Sequence, residues 1–131
     1  MKINISREVT REVIENIIVT ALEGGSNYWY YINDNGYDAV INAVKMEKSL
    51  PFPLALVEAV LDHGAVVEIC DIEDTDEVLG VVSANSIQDG LQKLADSDDS
   101  HALMDELSYN GDADTSDICF QYIVMGEIIF G

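Results

Sequence analysis

The chain has 131 residues, enough for one domain that buries roughly two thirds of its unfolded surface, and 48% of them are apolar, which excludes a disordered acidic tail. Twenty-five acidic residues against six basic ones give a net charge of −19, which excludes direct nucleic-acid binding because such a chain gains nothing from counterion release. No apolar run approaches the roughly 18 residues of a membrane span, and no cationic leader precedes an apolar stretch, so a cytoplasmic protein that avoids membranes is expected.

The predicted fold class is α+β, a single domain in which a small, mostly antiparallel sheet packs with four to five helices. Residues 2 to 5 read as a short strand, after which Ser6 is the expected N-cap of a helix over 7–23. Its apolar positions Val9, Val13, Ile14, Ile17, Ile18, Ala21 and Leu22 recur at helical spacing, and Gly24-Gly25 supplies the stop. Asn27 to Ile32 is rich in aromatics and reads as a strand, with Asn35-Gly36 behind it as a hairpin turn. Residues 37 to 48 fit a returning strand or a helix equally well. Pro53 suits the first turn of a helix that runs to His63-Gly64.

Ala65 to Ile72 and Val78 to Ser83 read as an antiparallel hairpin joined by the acidic link 73–77. Asn85 or Ser86 is the expected cap of the next helix, Asp96 to Ser100 breaks it, and a shorter helix follows through Leu103, Met104 and Leu107. Asp112 to Asp117 then opens a segment, Ile118 to Phe130, that is apolar almost all round. Such a segment must be buried, either as a central helix or against another copy of the chain in a homo-oligomer.

No chemistry-bearing motif is visible. There is no nucleophile elbow, phosphate loop or dinucleotide-binding turn, and the two histidines, His63 and His101, lack metal-ligand spacing, so no catalytic residue, metal site or cofactor is expected. Asp112, Asp114 and Asp117 partly match a calcium loop, but Asp117 stands where the turn glycine belongs and Ile123 where the bidentate glutamate belongs, leaving a solvated helix start as the better account. Cys70 and Cys119 fall in apolar runs and read as buried free thiols.

Charge is distributed unevenly. Residues 1 to 48 hold five basic and seven acidic residues, a net of −2, while residues 49 to 131 hold eighteen acids and only Lys93, a net of −17. That exceeds the magnitude of roughly 2 to 8 that keeps a small domain soluble. The expected contact set for a basic partner protein is therefore Asp71, Glu73, Asp74, Asp76 and Glu77, with Asp96, Asp98 and Asp99, and with Asp112, Asp114 and Asp117, all standing in for phosphates. Tyr28 and Trp29 join it as aromatic anchors from a run in which strand alternation would turn Tyr28 and Tyr30 to one face and Trp29 and Tyr31 to the other. An alternative reading makes Trp29 and its neighbouring tyrosines stack on a nucleotide, with Arg7, Arg11, Lys45 and Lys48 for its phosphates; another makes the chain a structural homo-oligomer.

Ala21-Leu-Glu-Gly-Gly-Ser-Asn-Tyr-Trp29 and Phe120-Gln-Tyr-Ile-Val-Met-Gly-Glu-Ile-Ile-Phe-Gly131 resemble segments of small acidic proteins encoded by bacteriophages and prophages. No activity comes with that resemblance and no functional residue is carried over from it. What it implies is a setting, a phage protein made in a bacterial cytoplasm, where an acidic protein without catalytic motifs would antagonise a basic host protein such as an immune nuclease.

Overall fold

A computed structural model describes residues 1–45 and 50–131. Its elements in chain order are α1 (Arg11–Thr20), a π-helical turn (Ala21–Gly25), β1 (Tyr30–Tyr31), α2 (Asp34–Val44), α3 (Phe52–Asp62), β2 (Val67–Asp71), β3 (Val78–Val82), α4 (Ala84–Ala95), α5 (His101–Leu107) and α6 (Ala113–Met125). The fold is α+β: a three-stranded antiparallel sheet in the order β1-β2-β3 with six helices around it among the described residues.

The first ten residues form no regular structure, so neither the strand at 2–5 nor the cap at Ser6 exists. Thr10 caps α1 instead, its hydroxyl accepting the Val13 amide at 3.3 Å, because the apolar stripe Val13, Ile14, Ile17 and Ile18 that the core requires begins only there. The helix then widens into a π turn, with the Ser26 amide reaching the Ala21 carbonyl at 2.8 Å. Gly25 permits this: a Cβ there would sit 2.4 Å from the carbonyl oxygen of Ala113.

The aromatic run is mostly turn rather than strand. Only Tyr30 and Tyr31 pair with β2, opposite Asp71 and Cys70. Asn35-Gly36, read as a hairpin turn, belongs to the first turn of a helix capped by Asn33: the Asn33 side chain accepts the Gly36 amide at 2.9 Å, and a Cβ on Gly36 would meet Ile32 Cγ2 at 2.6 Å, so the glycine lets α2 press onto β2. Residues 37 to 44 are thus helical, and residues 46–48 of that stretch lie outside the described residues. Pro53 sits in the first turn of α3 as its fixed φ favours. The hairpin β2–β3 forms with a bulge at Ile69–Cys70. Ser83, rather than Asn85 or Ser86, caps α4, with Ser86 completing a reciprocal capping box.

The apolar segment becomes the central helix. α6 buries every residue from Thr115 to Val124 except Ile118, packed by α4, α1, α5 and β3. Two glycines make room for it: a Cβ on Gly90 of α4 would lie 2.3 Å from the Tyr122 carbonyl oxygen, and one on Gly80 of β3 would lie 2.0 Å from that of Val124. The helix stops at Met125 rather than continuing to Phe130, because Gly126 adopts φ 76° and turns the chain back. Phe130 then stacks on Trp29 with ring centroids 5.3 Å apart and planes 11° from parallel. Gln121 holds this tail through its two backbone amides, Ile129 and Phe130, each donating to Oε1 at 2.9 Å.

Candidate functional site

Most of the acidic residues singled out by the sequence lie at the surface. Glu73, Asp74, Asp76 and Glu77 are exposed on the β2–β3 link and Asp71 is half-buried at its base, where it accepts the Glu73 amide at 2.8 Å. Asp96 and Asp98 are exposed after α4, and Asp99 takes a hydrogen bond from the Tyr122 hydroxyl at 3.2 Å, on the C-terminal half of α6. Asp112 is exposed and caps α6, accepting the Thr115 amide at 2.9 Å, and Asp114 is exposed beside it. Among the described residues the only ion pairs are those of Arg11, with Asp62 at 2.7 Å and with Glu15 at 3.7 Å. None of the three acidic clusters is neutralised by a described cation.

Two members of the expected contact set are inside the protein. Trp29 is 1% exposed, packed against Phe120 and Phe130, and Asp117 is 9% exposed. Trp29 therefore neither anchors a partner nor stacks on a base, and Asp117 is not part of a solvated helix start. Instead Asp117 is the centre of a buried polar cluster. Its Oδ1 accepts from Ser26 Oγ at 2.7 Å and Trp29 Nε1 at 2.8 Å, and its Oδ2 from the Tyr28 hydroxyl at 2.6 Å and Gln121 Nε2 at 3.2 Å. Four neutral donors thus meet one carboxylate, the arrangement that a buried acceptor without a counter-cation needs.

Tyr28 has its ring half exposed while its hydroxyl is held by Asp117, so the phenol is pushed up to about 12 by burial and by that hydrogen bond to a carboxylate. Burial, aided by the charge of Glu106, also raises the Cys119 thiol, and burial raises that of Cys70; both cysteines are buried and free. Such thiols are protonated and inert at neutral pH. Among the described residues no group of three or more His, Cys, Asp or Glu converges as a metal site, and no helix is long and apolar enough to cross a membrane.

The strand edge carries a feature that the sequence alone did not assemble. Asn27, Tyr30, Tyr31, Asp34, Tyr37 and Ile72 line a shallow groove of about 420 Å³ between β1, the start of α2 and Ile72, the residue that joins β2 to the acidic link. Tyr31, Tyr37 and Ile72 are each at least 40% exposed there, and Tyr37 is braced by Phe52 with ring centroids 4.5 Å apart. Ile72 fixes the start of the link beside this groove, its amide donating to the Trp29 carbonyl at 2.9 Å. The run Tyr28 to Tyr31 signalled an aromatic surface, but Tyr37 and Ile72 come from elements that had no visible connection to it.

The nucleotide reading finds little support in this geometry. Its stacking residue is buried, Arg11 is engaged by Asp62, and Lys48 lies outside the described residues. The homo-oligomer reading loses its surface in α6, which the chain's own elements cover, leaving Ile128 and Ile129 as the exposed apolar part of that segment. Comparison with protein-family models, with curated proteins and with solved structures returned no match.

Proposed function

We propose that this protein is an interaction module that binds a basic protein, its carboxylates taking the place of a polyanion and its tyrosine groove gripping the partner. The observation that carries this reading is the juxtaposition at the sheet edge. An open groove with exposed tyrosine rings adjoins a link bearing Glu73, Asp74, Asp76 and Glu77, none of them paired with a described cation. Tyrosine faces and unpaired carboxylates are the two surfaces that arginine and lysine side chains favour, the first through cation–π attraction and the second through charge-assisted hydrogen bonds. The wider acidic field would draw such a partner in and repel nucleic acid.

The resemblance to phage-encoded acidic proteins makes a nucleic-acid-handling host protein the partner class, and occupation of its basic groove the mode of inhibition. The test is affinity capture from bacterial lysate at low and high salt. The wild type runs beside a variant with Glu73→Gln, Asp74→Asn, Asp76→Asn and Glu77→Gln. A basic protein held at low salt, released at high salt and missed by the variant is the expected result. Equal capture by both chains, or recovery of the protein alone, overturns the reading.

A further inference from the structure

A second cleft lies beside the start of α6, built around a carboxylate outside the acidic contact set. Glu106, near the end of α5, is 5% exposed. Its Oε1 accepts from Ser116 Oγ at 2.6 Å and from Thr115 Oγ1 at 2.9 Å, whereas its Oε2 has no partner among the described residues. That oxygen borders a cleft of about 190 Å³ lined by Asn16 and Thr20 of α1, Tyr109, Gly111 and Ser116. Asn16 and Tyr109 are exposed and Thr20 half-buried at the rim of the cleft, with no hydrogen bond from their side chains to another described residue. Gly111 lies close over the carboxyl, since a Cβ there would come within 2.4 Å of Oε2 and would push the carboxyl from its place.

One carboxylate oxygen of Glu106 is satisfied from within by two hydroxyls, while the other opens to solvent in the cleft, since no buried side-chain acceptor among the described residues lacks a partner. A ligand entering the cleft therefore meets a carboxylate oxygen held in place by its neighbours and exchanges only water for its own donors. The neighbouring guanidinium does not fill this role: Arg7 Nη2 donates to the Leu107 carbonyl at 3.4 Å and forms no ion pair with Glu106.

We infer that the Glu106 cleft is a binding site for an organic cation carrying N–H donors, with a guanidinium group as the best fit. A planar guanidinium presents donors on several edges at once and matches a carboxylate oxygen flanked by amide and hydroxyl acceptors better than a spherical ion does. The same chemistry has two sources: an arginine side chain of a protein, or a free amine such as a polyamine. The inference does not depend on the tyrosine groove, and it is tested with small molecules alone.

The experiment is a titration of the full chain followed by amide NMR, with three probes: N-acetylarginine methylamide, putrescine and tetramethylammonium. The last has charge without N–H donors and reports non-specific attraction to an acidic protein. Saturable shifts confined to residues 106–116 and the 16–20 turn are expected with capped arginine, with putrescine weaker and tetramethylammonium without effect. Tighter binding of putrescine assigns the site to a free amine. Glu106→Gln is expected to weaken binding at least tenfold; Asn16→Leu, on an exposed helix position, provides a second variant that removes a cleft acceptor without touching a buried bond. If all three probes give the same unsaturable shifts in wild type and variants, Glu106 serves only to hold the start of α6 and the inference is overturned.

Discussion

Asp117 accepts the indole proton of Trp29 across 2.8 Å, with both residues buried, and this one bond joins the turn after α1 to the central helix 88 residues later. Ser26 and Tyr28 bind the same carboxylate, so the whole turn hangs on it. Replacing Asp117 by Ala strands a buried hydroxyl and a buried indole N–H, and the expected loss is about 3 kcal/mol in urea unfolding followed by circular dichroism. Trp29→Phe removes a single donor and keeps an aromatic ring, so a smaller loss of about 1 kcal/mol plus a packing contribution is expected. Equal stability of Asp117→Ala and wild type would show the cluster to be ornamental.

This cluster also marks where sequence reasoning stopped. Pro53, the β2–β3 hairpin and the apolar character of α6 were legible because each depends on local preference or on a period within one element. Asp117 was not, because acids near a helix start are usually solvated, and its donors at residues 26 to 29 are brought to it only by tertiary packing. One local signal did exist: Asp117 and Gln121 are four apart, on one face of a helix otherwise apolar, as paired buried polar groups would be. Asn35-Gly36 misled for a related reason. The same residues serve a turn or a helix cap, and contact of Gly36 with Ile32 and with β2, not their own chemistry, selects the helix.

The glycines divide into those that packing demands and those it does not. Gly90 faces the α6 backbone, where a methyl group would overlap the Tyr122 carbonyl, and Gly90→Ala is expected to cost about 3 kcal/mol. Gly24 has nothing within 4 Å of a Cβ and stands in helical backbone. Gly24→Ala should therefore stabilise by about 0.5 kcal/mol through lost freedom of the unfolded chain. Thermal denaturation of the two variants side by side checks both signs, and a neutral Gly90→Ala would contradict the close approach of α4 to α6.

Tyr28 supplies a dependence on alkaline pH. Its phenol is raised from the ordinary tyrosine value of 10.0 to about 12, so the folded state holds the proton more tightly than the unfolded one. The associated stability is fully present below about pH 10 and is lost as the pH rises through about 12. Burial raises Tyr30 as well, its hydroxyl donating to the Leu22 carbonyl at 2.6 Å. Ultraviolet titration of the wild type should show a late-ionising fraction that Tyr28→Phe reduces, and a Tyr28→Phe curve superimposable on the wild type would refute the Tyr28–Asp117 bond.

Charge and shape at the sheet edge make separable contributions to binding of a basic partner. Carboxylates of the 73–77 link act at long range and are screened by salt, so neutralising them should slow association and flatten the dependence of affinity on ionic strength. Tyr31 acts only at contact. It is 40% exposed in the groove, and truncating it leaves every charge in place. Tyr31→Ala is therefore expected to weaken binding about tenfold through faster dissociation, with the salt dependence unchanged. Surface plasmon resonance on the captured partner at three ionic strengths separates the two. A Tyr31→Ala chain that dissociates at the wild-type rate would remove the groove from the interface and leave recognition to the acidic field alone.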